Sequence, residues 1–198
     1  MTITYRYGDN LYVNTTNRCD MHCDFCLRQM GDGVGEADSL WLTKEPTREE
    51  IWADIQQRKL SEFRELVFCG YGEPTYRLHD ILWVCDQVRA CSDISIRIDT
   101  NGHGSLIWDE DVTPLFQGRF DTVSISLNAK DKETYDLRCV PDYENGFDAM
   151  LDFARRVQKY VPRVVMSVVD CIGEEEIEAC RKVCEEIGAE YRVRIYGT

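Results

Sequence analysis

Cys19-Asp20-Met21-His22-Cys23-Asp24-Phe25-Cys26 places three thiols within eight residues, spaced CxxxCxxC. The stretch directly follows a short apolar run over 11–16, and Asn14-Thr15-Thr16-Asn17 leads into it. The cysteines therefore fall in a loop at the C-terminal end of a strand. Three thiolates this close in sequence can converge on one metal centre. A four-iron cluster held by three cysteines keeps one iron open, and an open position suits chemistry, as it does in catalytic zinc sites. A zinc knuckle wants four ligands, usually as CxxC pairs, and His22 supplies a fourth only by straining the loop. The spacing reads as an iron–sulfur loop.

Composition narrows the class. At 198 residues, 43% hydrophobic and 30% charged, the chain suits a soluble globular protein with one sizeable core, read as a single domain over 1–198. No run approaches the roughly 20 apolar residues of a membrane span. Met1-Thr2-Ile3-Thr4-Tyr5-Arg6-Tyr7 has neither a basic nor an apolar leader region, so a cytoplasmic protein is expected. The net charge of −13 argues against nucleic acid held by its phosphates. Of the ten cysteines, three cluster and seven scatter, which favours metal ligands and buried thiols over a disulfide framework.

Outward from the cysteines the pattern alternates strand and helix. Strands are expected over 11–16, 65–69, 94–100, 122–127, 163–169 and 191–196. Thr47-Arg48-Glu49-Glu50 is a capping box behind Pro46 and opens a helix with Ile51 and Ile55 inward. Further helices are expected over 78–90, near 109–116, along Phe147, Met150, Leu151, Ala154 and Val157, and along Ile177, Cys180, Cys184 and Ile187. Six units of about 33 residues match a βα repeat. A closed eight-unit barrel takes about 250 residues. The expected fold is thus α/β, an open partial (β/α)6 barrel, three-quarters of a TIM barrel, with parallel strands. Its ligands should lie at the C-terminal strand ends, where the cysteine loop falls.

Cys19-x3-Cys23-x-Phe25-Cys26, with an aromatic before the last cysteine, resembles the signature of the radical S-adenosylmethionine superfamily. Gly70-Tyr71-Gly72-Glu73-Pro74, after the strand over 65–69, resembles that family's GGEP turn; otherwise it is an ordinary strand-to-helix turn. The resemblance implies a [4Fe–4S] cluster on Cys19, Cys23 and Cys26, with S-adenosylmethionine chelating the fourth iron. The reduced cluster then splits the sulfonium into methionine and a 5′-deoxyadenosyl radical that takes hydrogen from a substrate. It implies that backbone near Gly70, Gly72 and Glu73 accepts the methionyl ammonium, and that Phe25 packs against the adenine. Ser126 and Asn128 resemble a ribose-binding position, and Lys130 a lysine aimed at the methionyl carboxylate. Asp99 and Asn101 read either as groups facing the sulfonium or a cation, or as a plain turn.

The Asn-x-Thr-Asn-Arg-Cys lead-in and the 31–45 loop look most like the small radical S-adenosylmethionine proteins linked with TatD-type hydrolases. That likeness implies a TatD-type partner, besides an electron donor such as flavodoxin or ferredoxin. Activation of a protein partner is the alternative within the enzyme class, and an iron–sulfur electron-transfer module the alternative outside it. Cys85, Cys180 and Cys184 lie on apolar stripes and read as core thiols. Cys139 has no assigned role. His22, His79 and His103 lack ligand spacing and are expected at the surface; Arg194 and Tyr196 are expected to border the adenine. The 31–45 loop, with Leu40-Trp41-Leu42, reads as a substrate lid, a partner dock or a mobile excursion.

Overall fold

The computed structural model describes residues 1–197. Two short strands, β1 (Thr4–Tyr7) and β2 (Asn10–Val13), form an antiparallel hairpin around Gly8, whose φ of 57° lies in the left-handed region that favours glycine. Five more strands follow: β3 (Glu65–Phe68), β4 (Ser95–Thr100), β5 (Thr122–Ser126), β6 (Arg163–Val169) and β7 (Glu190–Arg194). From β2 to β7 every neighbouring pair is parallel, and spatial order equals sequence order. β1 and β7 do not pair with each other, so the sheet stays open.

The six expected parallel strands are β2 to β7; β1 is additional. It escaped the sequence because Thr4–Tyr7 buries only Thr4 and Tyr5, leaving little alternation. The main helices are α1 (Arg48–Gln56), α2 (Leu78–Arg89), α3 (Gly104–Ile107), α4 (Lys132–Arg138), α5 (Gly146–Val157) and α6 (Glu174–Ile187). The capping box of α1 forms as expected: Glu50 N donates to Thr47 Oγ1 at 3.1 Å and Thr47 N to Glu50 Oε2 at 2.8 Å. In place of a helix near 109–116 there are α3 and a separate 3-10 turn, Thr113–Phe116. Asp109 breaks the run with a φ of 53°. α4 was not expected; Asp131 starts it by accepting from Thr134 N at 2.9 Å. β7 ends at Arg194 because Tyr196 N turns to Asp170 Oδ1 at 2.8 Å.

Side chains alternate across each strand. Leu66, Phe68, Ile96, Ile98, Val123, Ile125, Met166 and Val168 pack under the helices, with Ile81, Val84, Val88, Met150 and Phe153. Each such side chain contributes about 1.5–3 kcal/mol on burial. Cys85, Cys180 and Cys184 belong to this core, as their stripes required. The opposite face is polar: Arg97, Asp99, Ser124, Ser126 and Ser167 share it by register. The fold thus spends its apolar residues on the helix side and leaves a polar inner face for the site.

Candidate functional site

The cysteine loop leaves β2 through Asn14, Thr15 and Thr16, all buried. Met21 and Phe25 turn into the core, which holds the loop's backbone while Cys19, Cys23 and Cys26 stay partly exposed as free thiols. A distant segment stitches the loop in place. His22 N donates to Cys139 O at 3.0 Å, Asp24 N to Arg138 O at 2.9 Å, and Asp142 N to Asp20 O at 2.8 Å. Arg138 also lies over the Phe25 ring at 5.6 Å, so that ring is already covered on one side.

Beneath the loop sits a buried polar network. Asp20 Oδ2 is 2.5 Å from His103 Nδ1, and Asn101 Nδ2 donates to Asp20 Oδ1 at 2.8 Å. His103 Nε2 meets Gly146 O at 3.0 Å and the Tyr135 hydroxyl at 3.1 Å. The expectation that His103 lies at the surface is wrong: it is fully buried and carries the loop's anchor. His22 and His79 are exposed, as expected. Only the polar run Asn101-Gly102-His103 at a strand end hinted at this role.

The turn Gly70-Tyr71-Gly72-Glu73-Pro74 presses on the base of the loop. A Cβ on Gly72 would stand 2.4 Å from Thr16 O and 2.6 Å from Arg18 O; one on Gly70 would stand 2.1 Å from Asn14 Oδ1. Both positions accept only glycine. Glu73 N donates to Arg18 O at 2.8 Å. The buried Glu73 carboxylate receives Thr75 N, Thr75 Oγ1, Thr100 Oγ1 and Asn101 N at 2.6–3.0 Å, tying the ends of β3 and β4 together. Burial nonetheless pushes that carboxyl above its ordinary range. Among the described residues no donor reaches the Gly72 carbonyl, whereas Tyr76 N takes that of Glu73 at 3.2 Å.

The remaining expected residues are placed as follows. Asn128 is buried with a φ of 54°, and its Oδ1 has no hydrogen-bond partner among the described residues. Ser126 lies partly buried on the inner face, one strand pair from Ser167. Asp99 pairs with Arg97 at 2.9 Å rather than standing free. Lys130 is turned outward to Glu176 at 3.0 Å. The 31–45 loop is tied down: Asn14 Nδ2 donates to Leu40 O at 2.7 Å, Asn17 brackets Leu42 at 2.8 and 3.0 Å, and Tyr71 OH donates to Gly31 O at 2.5 Å. It forms a wall beside the cysteines, with Trp41 edge-on to Tyr71 at 5.1 Å.

Three thiols in one loop are a donor set that a four-iron cubane with one open iron can take. Among the described residues no three His, Cys, Asp or Glu side chains converge on one metal position. A tetrahedral ion would need sulfurs about 3.8 Å apart, given bonds near 2.3 Å. A cluster puts each thiolate on its own iron and asks for a wider triangle. Beside Cys139 the Cys23 thiol is held below its ordinary pKa, while burial raises those of Cys19 and Cys26. The free Gly72 carbonyl and the unpartnered Asn128 Oδ1 suit a polar ligand alongside.

Comparison with known proteins agrees with this arrangement. GTP 3′,8-cyclase of Corynebacterium glutamicum is 28% identical over 196 residues, covering 94% of this chain and 48% of that protein. A probable GTP 3′,8-cyclase of Methanothermobacter marburgensis is 26% identical over 180 residues, covering 91% and 55%. The chain thus spans about half the length of these curated relatives. Among solved structures, Streptococcus suis SuiB bound to its precursor peptide SuiA superposes with a TM-score of 0.71 at 18% identity, covering 98% of this chain and 40% of that one. SuiB bound to S-adenosylmethionine gives 0.64 at 17%, covering 94% and 38%. These structures share the fold. The sequence model of the Radical SAM superfamily matches residues 13–187, and the chain belongs to that superfamily, which uses a [4Fe–4S] cluster and S-adenosylmethionine.

Proposed function

We propose that Cys19, Cys23 and Cys26 hold the [4Fe–4S] cluster and that the chain is a radical S-adenosylmethionine enzyme acting on a small or protein-borne substrate at the barrel mouth. When bound, the cluster and S-adenosylmethionine supply a 5′-deoxyadenosyl radical for hydrogen abstraction. The observation that carries this reading is that three partly exposed thiols, the free Gly72 carbonyl and the unpartnered Asn128 Oδ1 all lie past the C-terminal ends of β2, β3 and β5 in one sheet. In it, Gly70, Gly72 and Glu73 shape the methionyl seat, Phe25 borders the adenine, and Ser126 and Asn128 face the ribose. Asp99 serves through Arg97, and Lys130 would have to leave Glu176 to reach a carboxylate.

A protein partner over the mouth is the second reading, favoured by the exposed Met30 and Trp41 beside the cysteine loop. A flavodoxin- or ferredoxin-type donor, or the TatD-type hydrolase that the resemblance implies, would fit there. The test is anaerobic reconstitution, reduction with dithionite, and chromatography for 5′-deoxyadenosine, with wild type and Cys26→Ala side by side. Deoxyadenosine only in wild type supports the enzyme. A full cluster whose electron paramagnetic resonance ignores S-adenosylmethionine would point instead to an electron-transfer module.

A further inference from the structure

The acids along the inner face and beyond β6 are already taken. Arg97 holds Glu65 at 2.8 Å and Asp99 at 2.9 Å, and its Nη2 donates to the Tyr12 hydroxyl at 3.2 Å. Arg163 holds Glu190 at 2.7 Å, and Asp170 accepts Tyr196 N at 2.8 Å. Arg194 is left over. Its Nε is buried without a hydrogen-bond partner, and neither it nor Arg192 has an ion pair among the described residues.

Register fixes where these two cations point. Arg192 pairs with Ser167 and Arg194 with Val169, so both lie on the inner face with Ser126 and Ser167. Arg194 closes β7 and therefore stands at the C-terminal mouth. Burial and the Asp99 charge push the Cys69 thiol up, and the Arg97 and Arg194 charges both oppose them. An unneutralised, partly buried guanidinium costs free energy until an anion meets it. It is conspicuous in a chain of net charge −13.

We propose that Arg194, with Arg192 one step back along β7, binds an oxyanion of the substrate, a carboxylate or a phosphate. The guanidinium fork grips such a group with two parallel hydrogen bonds. The rest of the substrate then lies over Ser167, towards the cysteine loop. This assignment rests on the radical S-adenosylmethionine reading of the mouth and gives that site its substrate class.

The test uses cluster-loaded protein saturated with S-adenosylmethionine, titrated anaerobically by calorimetry with pyrophosphate or with malonate. Wild type, Arg194→Ala, Arg194→Lys, Arg192→Ala and the distant control Arg155→Ala are compared, and the cluster's paramagnetic resonance is read in the same samples. One anion should bind wild type and lose at least about tenfold in affinity in Arg194→Ala. Arg194→Lys and Arg192→Ala should lose about two- to fivefold, and Arg155→Ala nothing. The tighter anion tells phosphate from carboxylate. Binding by neither anion, or undiminished binding in Arg194→Ala, overturns the proposal. So does loss of S-adenosylmethionine binding in Arg194→Ala, which would put the guanidinium on the cofactor's own carboxylate. A wild-type cluster that ignores S-adenosylmethionine would instead sink the reading of the mouth itself.

Discussion

Asp20 Oδ2 lies 2.5 Å from His103 Nδ1, and neither side chain is open to solvent. Burial would raise the Asp20 pKa, but the hydrogen bond and charge of His103, with the Asn101 amide, hold it below the ordinary carboxylate range. The loop that bears Cys19 is fastened to β4 through this pair. Asp20→Ala leaves a buried imidazole and amide unmatched and should cost about 3 kcal/mol, read by urea denaturation. Asp20→Asn, which keeps the shape, should cost less. Both variants should load less iron than wild type. Unchanged stability and loading in Asp20→Ala would show that the pair is not an anchor.

Gly72→Ala tests the contact between turn and loop. The added methyl would meet two backbone oxygens closer than any ordinary contact, so one strand end must shift. The expected loss is about 1–3 kcal/mol, together with reduced cluster loading. Gly118→Ala, on an open turn, separates crowding from backbone strain: its Cβ would meet nothing within 4 Å, although Gly118 has a φ of 74°.

The cysteines divide into two groups with opposite expected outcomes. Cys23→Ala should abolish the four-iron absorbance and leave the protein soluble. Cys180→Ala removes a fully buried sulfur from the helix-side core, costing about 1 kcal/mol in a thermal or urea melt with iron content unchanged. Iron analysis that reverses this order would mean ligand and core thiol had been exchanged.

Glu45 makes the wall beside the cysteines pH-sensitive. Partial burial would raise its pKa, but hydrogen bonds from Thr16 and Arg18 and the Arg77 charge hold it below the ordinary range. A depressed native pKa means the carboxylate stabilises the fold above the ordinary carboxylate range, about 4.3. That stabilisation is lost as pH falls through the lowered value. Hydrogen exchange at Leu42, whose amide donates to Asn17 Oδ1 at 3.0 Å, should therefore speed up relative to α1 on acidification. In Glu45→Gln the extra pH dependence should vanish.

Much of the fold was legible because periodicity reports burial. Strands such as Arg163–Val169 and stripes such as Ile177, Cys180, Cys184 and Ile187 bury what their spacing demands. The capping box of α1 was readable because both partners lie within four residues. His103 was not, since its partners Asp20 and Gly146 are 83 and 43 residues away and nothing local marks the pairing. β1 and α4 were missed for want of an apolar pattern: α4 buries only Tyr135. The cysteines and the glycine turn stood out by spacing. The unpaired state of Arg194 is a property of its neighbours, which only the folded arrangement brings together.

The stitching of the cysteine loop to Cys139 and Asp142 also sets an order of events in biosynthesis. When the three thiols leave the ribosome, the segment that fixes their backbone is still more than a hundred residues from being made. Their triangle takes its shape only after β5 and α4 have been translated. Maturation of the metal centre is thus a late step, taken by a chain that is already largely folded. A polypeptide truncated before residue 139 would expose three thiols to oxidation without offering a seat for iron.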